Sequence, residues 1–247
     1  MHLRIVFALT VIASLANAQT SRDIPAQPPG PVGSAAGTGQ YPAIAEARAD
    51  APGYTFYRPQ ALPGTALPLV LWGNGGCRDN GLSASHFLRE IASHGYVIIA
   101  NGTPRNERPV ADRLEPAGAA PPRALPTERT PDETEVAQLS AAIGWAERAN
   151  AAKGDALQGH IDLTRIAVMG HSCGGLQALA VGADPRVKAV VAFNSGVYNR
   201  PGTGLSGVAI GKDDLKKLHT PVAYVLGGPD DMAYPNGIDD VARIEHV

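Results

Sequence analysis

Ser172 stands between two glycines in Gly170-His171-Ser172-Cys173-Gly174. A serine hydroxyl is a weak nucleophile at neutral pH, and it attacks a carbonyl carbon only when an adjacent imidazole takes its proton. The G-x-S-x-G spacing exposes such a serine on a turn so tight that side chains at the flanking glycines would meet neighbouring backbone. The apolar run Arg165-Ile166-Ala167-Val168-Met169 precedes it, and the small-residue run Leu176-Gln177-Ala178-Leu179-Ala180 follows. That order, strand then turn then helix, is the context the motif requires. The helix N-terminus beneath Ser172 favours negative charge as it develops. A chance match in a chain with 28 glycines is the bland alternative. Cys173 offers a second nucleophile, but it lies one residue past the apex, where its backbone N–H matters more than its thiol.

Other polar clusters follow apolar runs: Gly73-Asn74-Gly75-Gly76-Cys77, Asn194-Ser195-Gly196 and Gly227-Gly228-Pro229-Asp230-Asp231. The first lacks the Lys-Ser/Thr of a phosphate loop and the G-x-G-x-x-G order of a dinucleotide site. No H-E-x-x-H motif or Cys/His cluster is present, so no metal and no other cofactor is expected. His171 flanks the nucleophile and reads as a packing residue that points away from the position of a catalytic base. His86, His94, His160 and His219 fall on helices or connections, in surface or core roles.

The elements that must position these residues are legible as alternating strands and helices. Tyr54 to Pro59 alternates as a strand and stops at proline. Leu67 to Trp72 and Tyr96 to Ala100 are near-continuous apolar runs, which suit strands buried on both faces. A helix is expected from about Ser83 to His94, ended by Gly95. Residues 101 to about 130 carry many prolines and no period, and read as a long surface loop. Thr130-Pro131-Asp132-Glu133 reads as a capping box opening a helix with Val136, Leu139, Ile143 and Ala146 on its apolar stripe. Val187 to Phe193 and Pro221 to Leu226 are further strands, with a short helix at Asp213 to Leu218. This alternation predicts an α/β fold with a mainly parallel sheet and helices on both faces. Sites in such sheets lie beyond the C-terminal strand ends, where the polar clusters converge.

The 247-residue length suits one such domain, and 44% hydrophobic content suffices for its core. Net charge of -2 gives no electrostatic case for nucleic acid. Residues 1–18 read as a secretory leader: a short basic start, an apolar run from Ile5 to Leu15, and Ala16-Asn17-Ala18 as the cleavage site. The apolar run is too short to span a bilayer, although an uncleaved anchor is the alternative. The expected mature chain begins at Gln19, in an oxidising compartment outside the cytoplasm. Residues 19–48 then form a Pro/Gly-rich arm, and 49–247 the α/β domain.

From about residue 50 onward the chain resembles the α/β-hydrolase superfamily. The closest likeness is to its secreted, cap-less branch of dienelactone-hydrolase-like, chlorophyllase-like and cutinase-type polyester-hydrolase-like enzymes. Its carriers are Val70-Leu71-Trp72-Gly73-Asn74-Gly75-Gly76, the Ser172 pentapeptide, and Gly228-Pro229-Asp230-Asp231 followed by Pro235. The resemblance implies a Ser–Asp–His triad in that chain order, acting on a small-molecule or polymeric ester through an acyl-enzyme on Ser172. Of the adjacent acids, Asp231 is preferred to Asp230 because it lies four residues before Pro235, as in the family's D-x-x-x-P loop. Asp239 and Asp240 read as a solvated acidic turn. An oxyanion hole needs two fixed N–H donors. The resemblance implies one from Cys173 and one from Gly76, with Cys77 the neighbouring candidate. Cys77 and Cys173 are the only cysteines of an exported chain. They are expected either to form a disulfide across this hole or to remain two buried thiols.

The family's histidine follows one further helix and one further strand after the acid. A helix of about eleven residues and a strand of about five, with connections, do not fit in positions 232–247. Ile238 to Ile244 reads as the helix. His246, the sole in-order candidate base, falls at the approach to the next strand, on the wrong side of the sheet from Ser172. The expectation is a C-terminally truncated hydrolase lacking its last strand, with Ser172 and Asp231 placed and no general base. The rival expectation is a hydrolase-fold protein without catalytic activity as this chain stands. A lipid-surface binder is a third, but the chain has no basic amphipathic helix.

Overall fold

The computed structural model describes residues 30–105, 133–199 and 208–244. The leader and its cleavage site, most of the loop after residue 101, the Thr130-Pro131 cap and His246 lie outside the described residues.

Seven strands form one sheet: β1 (Ala43–Ala47), β2 (Tyr54–Pro59), β3 (Leu67–Gly73), β4 (Val97–Asn101), β5 (Ile161–His171), β6 (Val187–Phe193) and β7 (Val222–Val225). Their order is β1-β2-β4-β3-β5-β6-β7. The β1–β2 and β2–β4 pairs are antiparallel, and every pair from β4 to β7 is parallel. The chain is therefore α/β with a mostly parallel sheet.

Successive side chains of a strand face opposite ways, so each central strand feeds two cores. Leu69 and Leu71 of β3 enter one core with Ile99, Leu139, Ile143 and Leu179. Val70 and Trp72 enter the other with Tyr57, Leu88 and Ile98. Helices α2 (Val136–Ala151) and α3 (Cys173–Val181) cover the first face, and α1 (Ser85–Ser93) covers the second. Full burial of such a side chain contributes about 1.5–3 kcal/mol, so these strands anchor the sheet. At its end, β7 alternates half-buried and exposed residues. No helix among the described residues is long and apolar enough to cross a membrane.

Two elements differ from the sequence expectation. The strand β1 lies inside the stretch read as an arm. Its Ala-Ile-Ala-Glu-Ala sequence has little intrinsic β preference, and pairing with β2 makes it a strand. Helix α2 begins at Val136, and Glu133, expected to close a capping box in its first turn, lies before it in extended chain; no side chain caps the helix. The Glu133 backbone instead bridges Arg78. The Thr134 hydroxyl is occupied in a buried network with Asn101 and the Cys77 carbonyl, which keeps this stretch extended.

The segment before β1 is strapped to α1. Arg89, almost fully buried, donates to the carbonyls of Gly30 at 3.0 Å and Pro31 at 2.8 Å. The Thr38 N–H and hydroxyl donate to the two oxygens of Glu90 at 2.8 and 2.6 Å. Those donors, the Thr38 hydroxyl first, pull the Glu90 carboxyl from 4.5 down to about 2, with His94 assisting from the next turn. A depressed carboxylate contributes docking stability that is present above its unfolded value and lost as pH falls through its folded value. The Thr38 amide resonance is therefore expected to keep its docked position below pH 4.5 and move only near about 2. A midpoint at the ordinary glutamate value would refute the strap.

Candidate active site

Ser172 joins β5 to α3 with φ 53° and ψ -118°. A non-glycine residue at positive φ is strained by about 1–3 kcal/mol and persists only where its surroundings over-determine it. Here they do. The Ser172 N–H donates to Phe193 O at 2.9 Å, and the Ser172 carbonyl accepts from the Gly175 N–H at 2.9 Å and the Ser195 hydroxyl at 2.8 Å. Glycines let the backbones close around it. A Cβ on Gly170 would come 2.1 Å from Gly174 O, and a Cβ on Gly174 would come 2.0 Å from Gly73 O. The end of β3 thus presses directly on the first turn of α3.

Past β3 the chain makes a 3-10 turn, Gly75–Cys77, with Gly76 at φ 64° and Cys77 at φ 49°. The Cys77 N–H donates to Asn74 O at 3.1 Å, so it is occupied by the turn; the Gly76 N–H takes no part in the turn's bonding. Of the two candidate donors, Gly76 is the one whose N–H has no backbone partner among the described residues. Cys173 is the first residue of α3, so its N–H has no carbonyl partner within the helix. A disulfide joins Cys77 to Cys173, with Cα atoms 5.2 Å apart. The alternative of two free thiols is excluded. The bond ties both proposed donor loops together.

Sequence reasoning missed the polar layer beneath this turn. Asn74 Oδ1 accepts from the Trp72 indole at 3.0 Å and from the Ser83 hydroxyl at 3.1 Å. Its amide donates to the carbonyls of Asn101 and Arg78. Asn101 in turn donates to Thr134 at 3.1 Å and Gln177 at 2.9 Å. Asn74, Asn101 and Gln177 are fully buried. Buried amides with partners hold a loop in one geometry, because breaking a bond leaves a desolvated polar group. The available signal was an asparagine ending each of two apolar strands.

The acid loop follows β7. Asp231 Oδ1 accepts the Ala233 N–H at 3.0 Å, and Oδ2 accepts the Asn194 amide at 2.8 Å and the Gly227 N–H at 3.3 Å. The Ala233 N–H and then the Asn194 amide hold the carboxyl below its ordinary value. Asp231 is therefore ionised at neutral pH. Asp230 beside it is exposed.

Two residues depart from expectation. His171 does not point away: it is exposed, its Nδ1 lies where a Cβ on Gly75 would come within 2.6 Å, and it feels the Asp231 charge. Partial desolvation pulls its pKa below the ordinary histidine value, and Asp231 opposes that. It is the last residue of β5, and the strand's burial ends there. Asp240 is not solvated. It is fully buried on α4 (Tyr234–Arg243) and accepts from Lys212 Nζ at 2.6 Å, the Val197 N–H at 2.7 Å and the Tyr224 hydroxyl at 3.1 Å. This cluster pins α4, and with it the end of the acid loop. Asp239 pairs with Lys212 at 2.7 Å and Arg243 at 2.8 Å.

His94 and His160 lie where β4 and β5 begin, and His219 precedes β7, all away from the C-terminal strand ends. His246 lies outside the described residues. No protein-family model matches this chain, and no curated protein matches it.

Proposed function

We propose that this protein is an exported serine hydrolase of the α/β-hydrolase type that cleaves carboxylic esters, of small molecules or polymers, through an acyl-enzyme on Ser172. The observation that carries it is the strained Ser172 backbone at a strand–helix junction, bonded on both sides, with the turn after β3 tied to the first residue of α3 by the Cys77–Cys173 disulfide. In the proposed reaction an imidazole takes the Ser172 proton as Oγ bonds to the acyl carbon. The carbonyl oxygen becomes an oxyanion, stabilised by the Gly76 and Cys173 N–H groups. Collapse expels the alcohol, which receives the proton; water then repeats the sequence and frees the acid. Asp231 orients and stabilises the imidazolium. By chain order the base follows Asp231, and His246 is the one histidine of this sequence that does. The disulfide accords with export to an oxidising compartment.

The test is covalent labelling of the folded full chain with a fluorophosphonate, read by mass spectrometry of the Ser172 peptide. One phosphonyl adduct on Ser172, absent from Ser172→Ala, is the expected result. Folded protein that stays unlabelled would overturn the reading. A panel of chromogenic esters of increasing acyl length then defines the substrate, and His246→Ala asks whether that residue is the base.

A further inference from the structure

Asn194 follows β6 and holds a left-handed backbone, φ 45°. Asparagine is one of the few L residues that visits this region routinely, because its short amide bonds locally. The peptide unit between Phe193 and Asn194 bonds in two directions. Its carbonyl accepts the Ser172 N–H at 2.9 Å, and its N–H donates to Val225 O at the end of β7 at 2.8 Å. One peptide plane thus links the nucleophile's turn to the strand that carries the acid loop. The Asn194 side chain then reaches Asp231 Oδ2 at 2.8 Å. A carboxylate only accepts, so the group facing it is the amide nitrogen. Gly227 leaves room for this bond. A Cβ there would come 2.8 Å from the Asn194 nitrogen and 3.2 Å from Asp231 Oδ2.

We propose that Asn194 is a positioning residue that orients the Asp231 carboxylate relative to Ser172. This rests on the assignment of Ser172 and Asp231 to the reaction. The carboxylate has several donors, but the Ala233 and Gly227 N–H groups belong to its own loop and move with it. Among the described residues, the Asn194 amide is the donor that comes from the end of the sheet strand bonded to the Ser172 turn. It therefore sets the acid against a reference that the loop alone lacks. The bond also favours the ionised carboxylate.

Two variants of the full chain separate amide from backbone. Asn194→Gly keeps access to positive φ and removes the amide. Asn194→Asp keeps the shape and places a second carboxylate against Asp231. The first readout is the carbon-13 titration of the Asp231 carboxyl. It is expected to move upward in both variants, further in Asn194→Asp, because like charges disfavour ionisation. His171, the ionisable group facing Asp231 from β5, is the same in all three proteins. The second readout is the pH profile of Ser172 labelling. Its rate is expected to fall by about 10-fold to 100-fold, the worth of a hydrogen bond to a charged group, with the acid limb displaced upward. An Asp231 titration unchanged in the folded variants overturns the proposal while leaving the hydrolase reading intact. Failure of the unaltered protein to label overturns the hydrolase reading, and the titration still decides whether Asn194 holds Asp231.

Discussion

Replacing both cysteines, Cys77→Ser with Cys173→Ser, lowers the free energy of unfolding by about 4–5 kcal/mol in a chain-entropy estimate. The cross-link spans a sequence separation of 96, so the unfolded chain regains a long loop's freedom when it is lost. Denaturant unfolding of oxidised and double-variant protein measures the difference. A loss under about 1 kcal/mol would refute the estimate. The chemical effect is expected to exceed the stability effect. Cys77 sits at φ 49° and is held by the disulfide and by Thr134, whose N–H and hydroxyl both donate to the Cys77 carbonyl. Without the bond, one of those restraints is gone and the turn that carries the Gly76 N–H, the proposed oxyanion donor, is less fixed. Ser172 labelling should therefore fall further than the folded fraction does. Both sulfur-bearing residues are buried, so added reductant should act on the native protein only at the rate of local opening.

Gly174→Ala is expected to cost about 3–5 kcal/mol, at the top of the range for single substitutions. The new Cβ would stand 2.0 Å from Gly73 O and 2.6 Å from Asn74 N. Both are backbone atoms, one the last carbonyl of β3 and the other the first N–H of the buried turn after it, so no side chain can swing aside. Relief requires α3 to retreat from β3, which breaks the Ser172 turn and stretches the Cys77–Cys173 link. The melting temperature and Ser172 labelling should both fall in this variant. A Gly174→Ala protein of unchanged melting temperature would show that the two backbones do not meet as described.

Much of this was legible along the chain. The apolar runs of β3 and β4 announce strands covered on both faces, because a parallel sheet buries both. The glycine spacing around Ser172 announces a tight strand-to-helix turn, because only glycine tolerates such close approach. What escaped notice depends on partners far apart in sequence. Ala43–Ala47 has no strand signal of its own, and pairing with β2 creates it. Glu133 reads locally as the close of a capping box, but Thr134 finds partners in Asn101 and Gln177, and α2 starts only at Val136. Asp240 looks like a surface acid until Lys212, Tyr224 and Val197 surround it.

Sequence by itself determined the periodicities, the backbone permissions of the glycines and the supply of chemical groups at strand ends, since these are properties of short windows. It determined that two cysteines were available. Only the tertiary structure decided that they bond, that β4 lies between β2 and β3, and that His171 comes within the field of the Asp231 charge. It also decided that the Asn194 amide bonds the Asp231 carboxylate, across 37 positions of sequence. The physical reason is that hydrogen bonds and Coulomb forces act over a few ångströms of space. The distance in space between two residues is set by how the whole sheet is ordered and covered, which no local window contains.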